Sequence, residues 1–153
     1  MEVIETKENI DVYEKEIWTK FWTKLNLQGN FKESNYKLIE NNEMIGYVST
    51  TYFAGVLHIR EIIIDDEHRG NKRGHKILEF IDNLAKELNC HKLKLETSEE
   101  FMPNAYYLYR KFGYKKETTF VNDLFNRDWS IMTKFIKKWG ITNAKKRILG
   151  DKT

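Results

Sequence analysis

One cysteine, one proline and eight glycines occur in 153 residues. A single thiol, Cys90, excludes a disulfide framework and any cysteine-cluster zinc site. So little proline and glycine excludes collagen-like and low-complexity chains. No apolar run approaches the roughly 18 residues that a membrane span needs. The first residues have neither the basic stretch nor the apolar stretch of a secretory signal, so the cytoplasm is the expected compartment. The four histidines, His58, His68, His75 and His91, show no metal-ligand spacing, and no metal is expected. The net charge of +3 is too small to mark a nucleic-acid binder, and neither nucleic acid nor membrane is expected as a partner.

What is present is an ordinary globular balance, with 41% apolar and 32% charged residues. The length suits one domain, residues 1–136, with a basic tail over 137–153 that carries six cations against one acid. The tail reads either as a solvated terminus or as an arm for phosphate contacts. Aromatic residues make up 14% and call for a ring-rich core or pocket.

Periodicity supplies the elements. Ile17, Trp18, Phe21, Trp22 and Leu25 recur at helical spacing over 11–26, an aromatic stripe of the kind that enters a core. Residues 36–40 and 44–53 flank Asn41-Asn42-Glu43 and read as a hairpin, and Ala54-Gly55 is a second turn. Residues 56–64 form a strand whose run Ile62-Ile63-Ile64 suits burial on both faces. Ile77, Leu78, Ile81, Leu84, Ala85 and Leu88 mark one face of a helix that stops at Asn89. Residues 91–96 alternate as a strand. Pro103 opens a short helix with Gly113 just past its end, and 114–121 and 129–136 close the chain as a strand pair. Strand, helix, strand, helix in the middle argues for a mixed α/β sheet.

The segment His68 to Lys76 packs four fixed cations and two histidines around Gly70 and Gly74, between a strand and a helix. Unpaired N–H groups at a helix start, aligned with the helix dipole, favour an anion. The loop is too short for a P-loop and does not match the dinucleotide fingerprint. Taken alone it fits a phosphate cradle and a solvated turn about equally.

Residues 62–78 also resemble the acetyl-CoA motif of the GNAT acetyltransferases, Arg/Gln-x-x-Gly-x-Gly/Ala between a strand and a helix. Arg69 and Gly74 match its first and last positions, while Lys72 stands where the middle glycine is usual. Residues 105–114, Ala-Tyr-Tyr-Leu-Tyr-Arg-Lys-Phe-Gly-Tyr, resemble the family's downstream Ala-x-x-Leu-Tyr-x-x-x-Gly-Phe/Tyr. Where the family often has asparagine three before that alanine, Met102 stands here, with Asn104 nearby. The resemblance covers about residues 36–136.

It implies an α/β (α+β) fold, a mixed, mostly antiparallel central sheet flanked by helices. It also implies transfer of acetyl from acetyl-CoA to a primary amine by direct attack, without a metal. Acetyl-CoA would then be held by Ile62, Ile63, Ile64, Arg69, Gly70, Asn71, Lys72, Arg73, Gly74, His75, Asn104 and Tyr109. A bulge at Ile62 to Ile64 would offer the backbone groups. Tyr109 is the candidate acid, against plain packing of a short helix. Glu61 is the candidate base, on the expectation that strand burial raises its pKa; a salt bridge with Arg60 or Arg110 is the alternative. His58 is a second candidate base. Glu96, Glu99 and Glu100 could steer a cationic acceptor or form a solvated loop. Cys90 lacks a paired histidine motif and is not expected to be a nucleophile. The expected acceptor is a small cationic amine; a protein or peptide amine and a CoA-binding module without turnover stay open, and a homodimer is compatible with each.

Overall fold

The computed structural model describes residues 2–27 and 29–136. The basic tail at 137–153 lies outside the described residues. The elements are α1 (Asp11–Lys24), β1 (Lys32–Glu40), β2 (Glu43–Phe53), β3 (Val56–Ile64), α2 (Arg73–Glu87), β4 (Lys92–Thr97), α3 (Pro103–Lys111), β5 (Lys115–Phe120) and β6 (Trp129–Phe135). Two single-turn 3₁₀ segments, Asp66–His68 and Leu124–Asn126, complete the described chain. Six strands form one sheet in the order β1-β2-β3-β4-β6-β5. Only β3 and β4 are parallel, joined by the α2 crossover; the other pairs are antiparallel. This is the mixed, mostly antiparallel α/β sheet expected.

The core occupies one face of the sheet. Val48, Leu57, Ile59, Leu93, Leu95 and Met132 meet Ile77, Leu78, Ile81 and Ala85 of α2 and Tyr106 of α3. Asn89 adopts φ 55 just past α2, where its short polar side chain tolerates the left-handed conformation. Below α2, Lys134 donates to Asp82 and its ammonium sits 5.8 Å from the centroid of the Tyr114 ring.

The opposite face is nearly bare, and two expectations fail there. The α1 stripe is not core. No residue of α1 is buried, and Trp18 keeps 48% of its surface exposed. Its rings contact one another, and Trp22 reaches the sheet at Phe53, 5.9 Å between centroids. The triple isoleucine is not buried on both faces either: Ile63 is 44% exposed, because α2 and α3 cover only the side to which Ile62 and Ile64 turn. β1 begins at Lys32, earlier than its apolar pattern, because Lys32–Asn35 pair with Tyr52–Ser49. Pairing with a long neighbour there overrides weak strand propensity.

Gly46 is the tightest point of the β2–β3 contact. A Cβ there would lie 2.1 Å from the Ile63 carbonyl oxygen, a backbone atom. Gly46→Ala is expected to cost about 3 kcal/mol through overpacking, read as a lower urea midpoint with an unchanged slope.

Candidate active site

Two strands part company beside α2. β3 and β4 pair from Val56–Lys92 to Ile59–Leu95 and no further. At the same level β3 shifts register against β2: Thr50 faces Ile59 while Ser49 faces Glu61, so Arg60 is the extra residue. A bulge increases local twist and bends the strand. It lies at Arg60, two residues before the expected Ile62 to Ile64. Beyond it, Glu61–Ile64 pair only with β2 and Glu96–Thr97 only with β6, so their facing edges have no strand partner. At the mouth of this split the Thr97 hydroxyl, 1% exposed as a residue, has no hydrogen-bond partner. An unpaired buried hydroxyl costs free energy unless something else completes it.

The glycine-rich loop enters α2 with Gly70, Asn71 and Lys72 all at positive φ. Lys72 caps the helix at φ 59, ψ 16, without a side-chain cap hydrogen bond. This conformation explains why glycine would suit position 72: a Cβ disfavours the left-handed region. Arg73 N–H is satisfied by Gly70 O at 3.0 Å and Lys76 N–H by Lys72 O at 3.1 Å. The N–H groups of Gly74 and His75, in the first turn, have no intrahelical acceptor. Asn71 N–H, just outside the helix, meets no backbone acceptor among the described turn and cap hydrogen bonds either. Gly70 is open, since a Cβ there meets nothing within 4 Å.

The loop's charges divide sharply. Arg73 is half-buried; its guanidinium donates to Glu40 on β1 and, at 2.9 Å, to His68 O. That hydrogen bond holds the Glu40 carboxyl below its ordinary pKa. Arg73 therefore anchors the loop to the sheet with its side chain engaged. Arg69 reaches Asp66 at 2.6 Å and Ile64 O at 3.3 Å, bracing the loop against the end of β3. The His75 ring packs edge-on against Phe112, 5.3 Å between centroids. Gly74 is small for α3 rather than for a ligand: a Cβ there would lie 2.7 Å from Leu108 Cδ2. Lys72 and Lys76 are the exposed cations beside these amides.

α3 follows β4 through a turn in which Ser98 O accepts from Met102 N–H at 2.9 Å. Asn104 is exposed in its first turn. Tyr109 packs against the same core as Ile62 and Ile64 and lies 5.9 Å from the Tyr114 ring. Burial pushes its phenol up to about 12. Such a phenol stays protonated across the neutral range.

Glu61 lies on the far side of the split, and it is exposed, so the burial expected of it does not hold. Neither expected arginine pairs with it. Its neighbour is Tyr47, on the same face one register step away, whose phenol donates to the Glu61 carboxylate and is raised by that hydrogen bond. Tyr47 escaped the sequence reading because only strand register brings it there. Thr97 escaped it because threonine in a strand is ordinary. His58 is half-buried on the Glu61 face; burial, followed by Lys94, lowers its pKa. Glu99 accepts from the Tyr107 hydroxyl at 3.0 Å and Glu100 lies 3.6 Å from Arg127, so both acids have partners. Cys90 is fully buried, and burial raises its thiol pKa, which suits an inert side chain. Among the described residues, no cluster of three or more metal-ligating side chains occurs and no helix is long and apolar enough to cross a membrane.

The family model described as the acetyltransferase (GNAT) family matches residues 4–114. The chain belongs to that family. It is an acetyltransferase by descent, and solved structures share its fold. An acetyltransferase from Bacillus cereus superposes with TM-score 0.69 at 20% identity, covering 88% of this chain and 97% of that one. The ribosomal-protein-S18-alanine N-acetyltransferase of Escherichia coli gives 0.65 at 23%, covering 78% of each chain. Mutant forms of the spermidine/spermine N-acetyltransferase SpeG from Vibrio cholerae give 0.62 at 21%, covering 81% of this chain and 78% of that one. Curated protein sequences give no match.

Two outcomes follow for this acetyltransferase. Lys72→Gly removes the left-handed strain and is expected to stabilise the fold by about 1 kcal/mol, read by urea denaturation. Tyr109 favours its neutral form in the folded state, so its contribution is intact below pH 10 and is lost as pH rises toward about 12. The unfolding free energy is therefore expected to fall between these limits, and less so in Tyr109→Phe, by denaturation at stepped pH.

Proposed function

We propose that this acetyltransferase moves the acetyl group of acetyl-CoA onto the primary amine of a small cationic molecule. The observation that carries the reading is the split between β3 and β4, with the open amides of the α2 start on one side and Glu61 on the other face. Bound acetyl-CoA supplies the acetyl group already activated as a thioester.

The chain's own residues suit it. The N–H groups of Asn71, Gly74 and His75, together with Lys72 and Lys76, would hold the diphosphate, while Gly70 leaves room for it. The unpaired edge of Ile62 to Ile64 would hold the amide-bearing arm by strand-like hydrogen bonds and offer an N–H donor to the carbonyl oxygen. Asn104 stands at the α3 start as a further polar contact. Tyr109 Oη holds a proton at neutral pH and would release it to the departing sulfur. Glu61 would take the proton of the attacking amine, with Tyr47 fixing its carboxylate.

A carboxylate on the open face favours a cationic acceptor by attraction. The spermidine/spermine enzyme among the structural relatives acts on amines of that class. A protein amine is the second reading, favoured by the exposure of the Glu61 face, which would admit a bulky acceptor.

Tyr109→Phe is expected to lower kcat about 100-fold while acetyl-CoA affinity by calorimetry stays within about twofold. Absence of acetyl-CoA binding by the folded wild-type chain overturns the proposal. Turnover with polyamines but not with a basic peptide favours the small-molecule reading, and the reverse favours the second.

A further inference from the structure

We propose that the cavity between α3 and β5 is a second anion site, one that takes the phosphate group of a small phosphorylated molecule. The cavity has a volume of about 500 Å³ and is lined by Tyr106, Arg110, Gly113, Tyr114, Lys115 and Lys116. That volume lies within the range of small-ligand sites. Tyr106 and Tyr114 are buried and give it an aromatic floor, while Arg110, Lys115 and Lys116 are exposed around it.

The sequence concentrates charge here. Residues 101–116 hold four cations, Arg110, Lys111, Lys115 and Lys116, and no acid. Nearby carboxylates are already engaged: Glu117 with Lys92, Asp82 with Lys134 and Glu99 with the Tyr107 hydroxyl. Among the described residues, no ion pair reaches Arg110, Lys115 or Lys116. Arg110 and Lys111, in the last turn of α3, complement the helix dipole. Lys115 and Lys116 lie on the next strand and have no such reason, yet they border the same cavity. Like charges around one hollow repel one another, and an anion there relieves that cost.

Chemistry narrows the occupant. A guanidinium offers a planar fork that matches two phosphate oxygens, and the two ammonium groups add point charge. A tyrosine floor suits a ring on the molecule that carries the phosphate. A nucleic-acid backbone would need a cationic track, and β5 continues as Glu117-Thr118-Thr119-Phe120 without a cation.

This site is separate from the α2 amides. Leu108 and Phe112, one turn apart on α3, pack against Gly74 and His75. Tyr106 and Arg110 are also one turn apart but two residues out of step, about 200° around the helix. α3 therefore stands between the two anion sites. The inference does not depend on the acetyl-CoA reading.

Amide NMR titration of the full chain with phenyl phosphate tests it, with saturating coenzyme A present to occupy the α2 amides. Shifts are expected at residues 106–116, and binding is expected to be at least about tenfold weaker in both K115E/K116E and R110Q, with coenzyme A affinity unchanged. Should the double variant unfold, Arg110→Gln decides alone. Absence of shifts in that segment overturns the proposal, and so does unchanged binding in the variants. Equal shifts with sodium chloride at the same ionic strength overturn it as a salt effect. Shifts seen only without coenzyme A overturn it too, since the α2 amides would then be the anion site. A single-stranded RNA oligonucleotide that displaces the probe and binds more tightly makes nucleic acid the occupant and overturns it as well. Should coenzyme A itself fail to bind, the functional reading falls, and the same titration of the bare chain and its variants still decides this one.

Discussion

The parting of β3 from β4 after Ile59 is the constraint around which the rest is arranged. A sheet of paired strands offers a ligand no backbone hydrogen bonds, because each strand satisfies its neighbour. Here one extra residue, Arg60, bends β3 away, and two facing edges stay unpaired in an otherwise continuous sheet. The cost of those open groups is local, and the β2–β3 ladder and the α2 core hold the strand in place regardless. The split also reaches both faces of the sheet. One face carries the α2 start and Tyr109, the other Glu61 and Tyr47.

The charged residues of the loop illustrate a division of labour that composition conceals. Arg69 and Arg73 brace the loop, to Asp66 and the end of β3 and to Glu40 on β1. Backbone amides and the exposed lysines are what remain for an anion. A loop in which every cation bound the ligand would repel itself when empty; tying two arginines to carboxylates and carbonyls fixes the backbone geometry in advance. The left-handed Lys72 belongs to the same arrangement, because it sets the turn from which α2 starts.

The asymmetry of the sheet matters as much. One face is sealed by α2 and α3 over a continuous apolar core, and the other carries polar side chains and a single helix held at one corner. The aromatic surface of α1 borders that incompletely covered face.

The order of elements, the α2 core face and the two glycine-bearing motifs were legible in the sequence because they depend on local period and on residues adjacent in the chain. Ile77, Leu78, Ile81 and Ala85 announced their burial by spacing alone. What could not be read were facts of pairing. The bulge at Arg60 depends on β2's register, Tyr47 meets Glu61 across two strands, and Arg73 meets Glu40 thirty-three residues away. The α1 stripe and the triple isoleucine have the apolarity of core, yet their exposure is set by whether another layer covers that face. Hydrophobic pattern states what a segment would bury; only the three-dimensional arrangement supplies the surface to bury it against.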